Sequence, residues 1–384
     1  MEFDNITVHY GEIGLKGSNR GYFERLLISN MKAKLGSLAD SITKETGQIT
    51  VKLSKRADLK KVEDILSRIP GIANFSLAKK SKLDISSIKD DALEFVKDID
   101  FETFKVDTAR HDKSVKIDSQ QLNKSLGEEI IKKYGKKAKM KDPDLLLRIE
   151  LSTHTAYISG KEIEGVGGMP TDNKQKVVAL LSGGLDSPVA AYLMMKRGCT
   201  VILAHFQNQN QMTKSVQDKI EKLSSQLSKY QIKTKLYIIP FDSIQKEIIA
   251  NVHSTHRMLV YRKLMLKISS EIAEKENAKF LVVGDSLSQV ASQTIENLEA
   301  TYHNSEKLIF SPLIGMDKKD ITAISRKIGT FDISSLPYGD CCSYFVPKHP
   351  ELKANSEELD DALKEMDIER LIKEAVEKAV INEF

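Results

Sequence analysis

Residues 182–187 read Ser-Gly-Gly-Leu-Asp-Ser and lie between an apolar run, Val177-Val178-Ala179-Leu180-Leu181, and a helix-like stretch over 188–197. A buried-type strand that passes through a glycine turn into a helix start points to an α/β unit whose turn faces a ligand. Gly183 and Gly184 let the backbone turn tightly and approach that ligand, so that exposed N–H groups converge on an anion. Ser182 and Ser187 add hydroxyl donors. Ser187 is expected to cap the helix and Pro188 to take its first position, which would aim the helix dipole at a phosphate. Asp186 would repel that phosphate unless a divalent cation such as Mg2+ lay between them. The Walker pattern Gly-x-x-x-x-Gly-Lys-Ser/Thr does not occur.

The 384 residues allow two or three domains, and 41% hydrophobic with 29% charged residues suits globular folding. No run of 18 apolar residues appears, and Met1-Glu2-Phe3-Asp4 does not open a signal peptide, so a cytoplasmic protein with no membrane association is expected. The three cysteines, Cys199, Cys341 and Cys342, form no disulfide framework, which implies a reducing compartment and a functional use for any reactive thiol. Cys199 reads as core packing. The net charge of +4 hides an asymmetry: residues 351–384 carry 5 basic and 11 acidic side chains, leaving +10 on the rest. Much of that excess lies in 132–148, where Lys132, Lys133, Lys136, Lys137, Lys139, Lys141 and Arg148 face only two acids, Asp142 and Asp144. Such a stripe suits a phosphate backbone, although a lysine run can also be a solvated face.

Periodicity predicts strands over 177–181, 200–206, 233–239 and 280–283, with helices over 188–197, 213–229 and 255–276. This alternation implies a doubly wound parallel sheet with the 182–187 loop at its ligand-binding edge. The glycine- and turn-rich stretch 165–173 marks the main domain boundary. Ahead of it, strands over 6–10 and 48–53 flank a helix over 21–35. A second α+β module follows, with strands near 104–107, 145–151 and 155–159 and a helix over 119–134.

Gly11-Glu12-Ile13-Gly14-Leu15-Lys16-Gly17-Ser18-Asn19-Arg20, followed by Phe23-Glu24, resembles the N-terminal ferredoxin-like signature of the tRNA 4-thiouridine synthetase family. Phe104-Lys105-Val106, Arg110, Asp112-Lys113-Ser114, Leu126-Gly127 and the Gly165 stretch are similar to that family's THUMP domain, though less closely. The 182–187 loop, Gly284-Asp285-Ser286-Leu287-Ser288-Gln289-Val290-Ala291-Ser292-Gln293 and Asp317-Lys318 match its PP-loop ATP pyrophosphatase domain. The resemblance implies a multidomain α+β and α/β protein: a ferredoxin-like domain over 1–60, a THUMP RNA-binding domain over 61–165 and an ATP pyrophosphatase domain over 173–384. Its activity would be adenylation of O4 of uridine 8 in tRNA, followed by replacement with sulfur to give 4-thiouridine. A role in supplying sulfur for the thiamine thiazole is a further implication.

On that resemblance ATP is held by Leu180, Leu181, Ser182, Gly183, Gly184, Asp186, Ser187, His205, Phe206, Arg262, Gly284 and Gln293. Asp186, with its Mg2+, and Lys318 would carry the adenylation. Cys341 and Cys342 would carry sulfur, with Cys341 weakly favoured. Expected RNA contacts are Lys16, Arg20, Arg110, Lys113, Lys136, Lys137 and Lys139. Some family members end in a rhodanese domain and this chain does not, so a separate persulfide donor is expected, such as a cysteine desulfurase or a free-standing rhodanese. A homodimer is expected as well. Two other functions compete. A small-molecule ATP pyrophosphatase, such as an amidotransferase-like ligase, would leave some 170 front residues without a purpose. A non-catalytic tRNA-binding protein would leave the intact 182–187 loop unexplained.

Overall fold

The computed structural model describes residues 4–208, 214–337 and 351–384, and the chain divides into two compact units, Met1–Pro170 and Thr171–Phe384. The first unit runs β1 (Asn5–His9), α1 (Arg20–Leu35), β2 (Ala39–Glu45), β3 (Gln48–Leu53), α2 (Leu59–Leu66), β4 (Asn74–Lys82), α3 (Ile85–Lys97), β5 (Thr103–Arg110), α4 (Ser119–Tyr134), β6 (Lys137–Ala138), β7 (Leu145–Leu151) and β8 (Thr155–Glu164). Local chemistry sets several helix ends. The carboxylates of Asp58, Asp84 and Asp118 accept from backbone N–H groups in the first turns of α2, α3 and α4, and Gly135 closes α4 in the left-handed conformation.

Its strands form one eight-stranded sheet, β2-β3-β1-β4-β8-β7-β5-β6. The two α+β modules expected from the sequence are joined because β4 pairs antiparallel with β1 along one edge and with β8 along the other. Each half keeps its own core. Ile6, Val8, Leu27, Met31 and Val51 are fully buried in one, and Leu126, Ile130, Leu147 and Ile149 in the other. The glycine stretch after β8 is stitched back onto the first half: Gly165 N–H donates to Ala73 O at 2.9 Å and Gly167 N–H to Ile72 O at 2.7 Å. A Cβ at position 165 would lie 2.3 Å from Ile72 O, so only glycine fits there.

A buried charge cluster bridges the halves. Glu150 on β7 is 2% exposed, and its Oε1 accepts from His9 Nε2 at 2.9 Å and from His111 Nε2 at 3.2 Å. Burial alone would raise the Glu150 pKa, but hydrogen bonds from His111 and His9 outweigh it and hold the carboxyl at about 2.

The second unit runs β9 (Asp172–Leu180), α5 (Asp186–Lys196), β10 (Cys199–Gln207), α6 (Lys214–Ser228), β11 (Lys235–Pro240), α7 (Asp242–Asn251), α8 (Arg257–Glu276), β12 (Phe280–Val282), α9 (Ile295–Tyr302), β13 (Leu308–Phe310), α10 (Lys318–Lys327), α11 (Phe331–Ser334), α12 (Ser356–Lys364), α13 (Ile368–Glu377) and β14 (Val380–Glu383). The sheet order is β13-β12-β9-β10-β11-β14, with every pairing parallel except that of β14 on β11. From β9 the chain builds outward through β10 and β11, then returns to place β12 and β13 on the other side. The loops after β9 and β12 therefore leave the sheet in opposite directions and open a crevice between them. The core under α8 includes Val178, Tyr237, Ile239, Leu264, Ile268 and Leu281. Among the described residues, no helix is long and apolar enough to cross a membrane.

The Glu150 cluster gives a pH-dependent expectation for the first unit. Because the folded pKa is depressed from an ordinary 4.5 to about 2, its contribution is complete above pH 4.5 and is lost as pH falls through 2. The shift corresponds to roughly 3 kcal/mol. Hydrogen exchange on β1, β5 and β7 should show reduced protection in Glu150→Gln at neutral pH, together with a flatter loss of protection on acidification. Parallel acid profiles for the two proteins would assign the acid sensitivity elsewhere.

Candidate nucleotide site

A cavity of about 290 Å³ opens at that crevice, where the end of β9, the 182–187 loop, the end of β10, α8 and the segment after β12 meet. Of the residues expected to hold ATP, Leu180, Leu181, Ser182, Asp186, Ser187, His205, Phe206, Arg262, Gly284 and Gln293 line it. Gly183 is buried, Gly184 is exposed, and neither is among the described walls. Leu181 N–H donates to Ala204 O at 2.8 Å, and His205 Nδ1 lies 2.9 Å from Leu181 O. Phe206 packs edge-on against Phe241 and fixes the end of β10. Met258, Met265, Leu266 and Val283 supply an apolar wall suited to the face of a flat ring.

The loop differs in detail from the sequence expectation. The helix begins at Asp186, so Ser187 lies inside its first turn rather than at the cap, and Pro188 takes the third position rather than the first. Proline is tolerated there because first-turn N–H groups have no helical acceptor. The Ser187 hydroxyl instead accepts from Ser182 N–H at 2.8 Å, and Gly184 N–H donates to Ser182 Oγ at 3.3 Å. These bonds hold the turn closed from within. Neither Gly183 nor Gly184 adopts a positive φ. Glycine is required instead at position 284: a Cβ there would lie 2.8 Å from Ser187 N and 2.9 Å from Ser187 Cα. What approaches Gly284 so closely is the start of α5.

Asp186 already meets a cation in this structure. Lys318, at the first position of α10, donates from Nζ to Asp186 Oδ1 at 2.7 Å, and Gln289 Nε2 donates to Oδ2 at 2.9 Å. The repulsion that suggested a metal is thus offset by an ammonium group. Gln289 follows Ser288, a non-glycine residue at φ 61°. Strain of this kind gathers at functional sites.

Sequence reasoning passed over Asp285, which is 5% exposed and follows Gly284. Its carboxylate accepts from Arg262, from Tyr302 and, at 3.0 Å, from Gln293 Nε2. An acid directly after a buried strand and its glycine was the available signal.

Cys341 and Cys342 lie outside the described residues, but both described flanks of that segment are tied to elements of the site. Lys219, 2% exposed, donates to Ser334 O at 2.8 Å and Leu336 O at 2.7 Å, and the Ser334 hydroxyl donates to Gly184 O at 3.1 Å. Beyond the segment, fully buried Asn297 donates to Glu351 O and to Ala291 O, each at 2.7 Å. Cys199 is buried in the core, and burial pushes its thiol pKa up, which suits packing rather than reactivity.

The expected RNA contacts are dispersed over the first unit. Arg20 bonds the buried carboxylate of Glu24 at 3.0 Å and the Tyr10 hydroxyl at 2.6 Å, and Lys16 lies over the Phe23 ring at 5.7 Å. Arg110 donates to Val115 O at 3.2 Å, while Lys113 is exposed. Lys136 pairs with Glu102 at 3.1 Å beside Phe101, and Lys137 and Lys139 are exposed at the β6 edge.

A doubly wound parallel sheet with a Ser-Gly-Gly-x-Asp-Ser loop at its switch point defines the PP-loop class of nucleotide-binding proteins. Within that class, the chain belongs to the thiamine biosynthesis protein (ThiI) family, whose model matches residues 172–368. The ThiI ferredoxin-like domain matches residues 5–76 and the THUMP domain 82–160. A probable tRNA sulfurtransferase of Thermoanaerobacter sp. is 38% identical over 379 residues, covering 98% of this chain and 99% of its own. One of Clostridium acetobutylicum is 37% identical, covering 97% of each. Among solved structures, a 4-thiouridine synthetase in complex with RNA and bound ATP is 30% identical, with a TM-score of 0.89 over 100% of both chains.

The Gly284 contact yields a direct test of the site's construction. Gly284→Ala must push the end of β12 away from the backbone of α5, because no flexible side chain stands between them. The expected cost is about 1–3 kcal/mol of stability with a clear loss of ATP affinity. Thermal melting and equilibrium ATP binding would check it. Wild-type values for both would mean that the backbone contact is not needed.

Proposed function

We propose that this protein is an ATP-dependent tRNA sulfurtransferase that adenylates O4 of uridine 8 in tRNA and exchanges it for sulfur, giving 4-thiouridine. The observation that carries the reading is the convergence of the 182–187 loop, Arg262 and an apolar wall on one cavity at the switch point. The relatives' names and the RNA and ATP bound to the related synthetase support the substrate and the nucleotide.

A carbonyl oxygen at C4 is a poor leaving group at neutral pH. Transfer of AMP to O4, with release of pyrophosphate, makes it a good one. Loop N–H groups, Ser182, Arg262 and Lys318 would hold the phosphates and take up charge as pyrophosphate departs. Asp186, the one carboxylate on the loop, is the residue that would hold Mg2+, and the ion would neutralise phosphate charge. The outer sulfur of a cysteine persulfide then attacks C4 and AMP leaves; a second thiol cleaves the S–S bond, which frees 4-thiouridine and forms a disulfide that a thiol reductant returns to free cysteine. Cys341 or Cys342 is the proposed carrier, and the ties from Ser334 to Gly184 and from Asn297 to Ala291 support delivery near the nucleotide. The sulfur would come from a cysteine desulfurase or a separate rhodanese. The protein would act in the cytoplasm as a homodimer, and the same persulfide would serve thiamine thiazole synthesis.

Two measurements test this reading. Replacing both Cys341 and Cys342 with Ala should leave tRNA-dependent pyrophosphate release in place and abolish 4-thiouridine formation from a persulfide donor. Pyrophosphate release that ignores tRNA would favour a small-molecule ATP pyrophosphatase, and undiminished thiolation would make the cysteine pair structural. Replacing Lys136, Lys137 and Lys139 with Gln should weaken tRNA binding and lower the slope of log affinity against log salt by roughly 0.7–0.9 for each RNA phosphate that is no longer neutralised. An unchanged slope would leave those lysines as a solvated face.

A further inference from the structure

The Asp285 cluster determines more than the position of Arg262. Arg262 donates to Asp285 and, at 3.2 Å, to Ser292 Oγ; the Tyr302 hydroxyl donates to Asp285 and lies 3.2 Å from Ser311 Oγ. Burial and the neighbouring Asp285 charge push the Tyr302 phenol up, so it stays a donor. An ionised carboxylate paired with an arginine can only accept. Gln293 must therefore meet Asp285 with its amide nitrogen, which settles which way the amide faces.

The other end of that amide is the informative atom. Gln293 is 8% exposed and lines the cavity, and its Oε1 is buried without a hydrogen-bond partner in the protein. A buried carbonyl oxygen left unpaired is costly, so its natural complement is a donor brought by the ligand. We propose that Asp285 is a positioning residue that fixes the amide polarity of Gln293, so that the cavity presents an acceptor and selects a nucleotide carrying a hydrogen-bond donor at that point. Two donors on ATP have this chemistry: a ribose hydroxyl and the amino group of the base. The inference rests on the cavity being the nucleotide site. It adds Asp285 as the residue that sets selectivity, acting through Gln293.

The test compares ATP, ITP, 2′-deoxy-ATP and 3′-deoxy-ATP in equilibrium binding to the full-length protein, for wild type, Asp285→Asn and Gln293→Met. ITP carries a keto oxygen where ATP has the amine, and each deoxy analogue lacks one hydroxyl. Wild type should prefer ATP by roughly tenfold or more over the analogue missing the relevant donor. In Gln293→Met that one preference should fall to within about twofold while the others persist. Asp285→Asn should erode the same preference, because an asparagine can face Gln293 as donor or acceptor, and should raise KM for ATP more than it lowers kcat. Thermal melts establish that each variant is folded. Should Asp285→Asn not fold, the wild-type series and Gln293→Met still decide whether the cavity presents the Gln293 acceptor on which the inference depends. Equal affinity of wild type for all four nucleotides, or the absence of any preference that is lost in Gln293→Met, overturns the inference and leaves the nucleotide site standing. Folded wild type that binds none of them overturns both.

Discussion

The backbone of Gly284 lies against the backbone of Ser187, closer than any side chain would allow, and the catalytic half is arranged around that contact. It brings the segment after β12 onto the start of the helix after β9. From there Gln289 reaches Asp186, and the next residue, Asp285, takes hold of Arg262 and Gln293 across the cavity. A larger residue at 284 would separate the two loops whose divergence makes the crevice. The site is thus a product of sheet topology first and of side chains second.

Several buried polar and charged groups in this half are held by specific partners, and the pairings link distant parts of the chain. Glu276, at the end of α8, accepts from Lys235 at 2.7 Å and from Tyr237 at 2.6 Å on β11. Lys263 meets Asp360 at 2.7 Å and so joins α8 to α12. Breaking one member of such a pair leaves an uncompensated charge in low dielectric, which costs far more than an exposed pair contributes. Lys219 and Asn297 belong to the same group, and they hold the two described flanks of the segment that carries Cys341 and Cys342.

The regular elements were legible because their signals are local. The helix over 119–134 was readable from its periodicity, and the structure adds Asp118 and Gly135 as its caps; the parallel sheet was readable from apolar runs such as 177–181. The cavity residues on the 182–187 loop, Arg262 and Gln293 came from motif and resemblance, since nothing local distinguishes Arg262 from another helix-surface arginine. What escaped was non-local. The β4–β8 pairing joins strands separated by more than 70 residues, and β13 and β14 are too short to show a period. The helix start after the loop was misjudged because Ser187 is as good a cap as it is a hydrogen-bond acceptor for Ser182, and only the closed turn decides between them. Asp285 sat inside a quoted motif, yet its role depends on Gln293 at the far end of that motif and on Arg262 and Tyr302 from two separate helices.

The pair between Lys318 and Asp186 bears on how the proposed reaction would begin. Lys318 is 49% exposed and Asp186 is 21% exposed, so water screens their attraction and the pair contributes at most about 1 kcal/mol. A triphosphate entering the loop would offer Lys318 a denser negative charge, and charge-assisted bonds to phosphate are the stronger kind. Lys318 could transfer to the phosphates at little cost, which would leave an oxygen of Asp186 available to hold a divalent cation. Gln289 would still hold the other oxygen and keep the carboxylate oriented. In contrast, Arg262 is 18% exposed and paired with a carboxylate that is 7% exposed, so that pair is too costly to break in the same way. The site would therefore combine one cation that moves with the charge and one fixed in place, and the proposed adenylyl transfer, which expels pyrophosphate, has use for both.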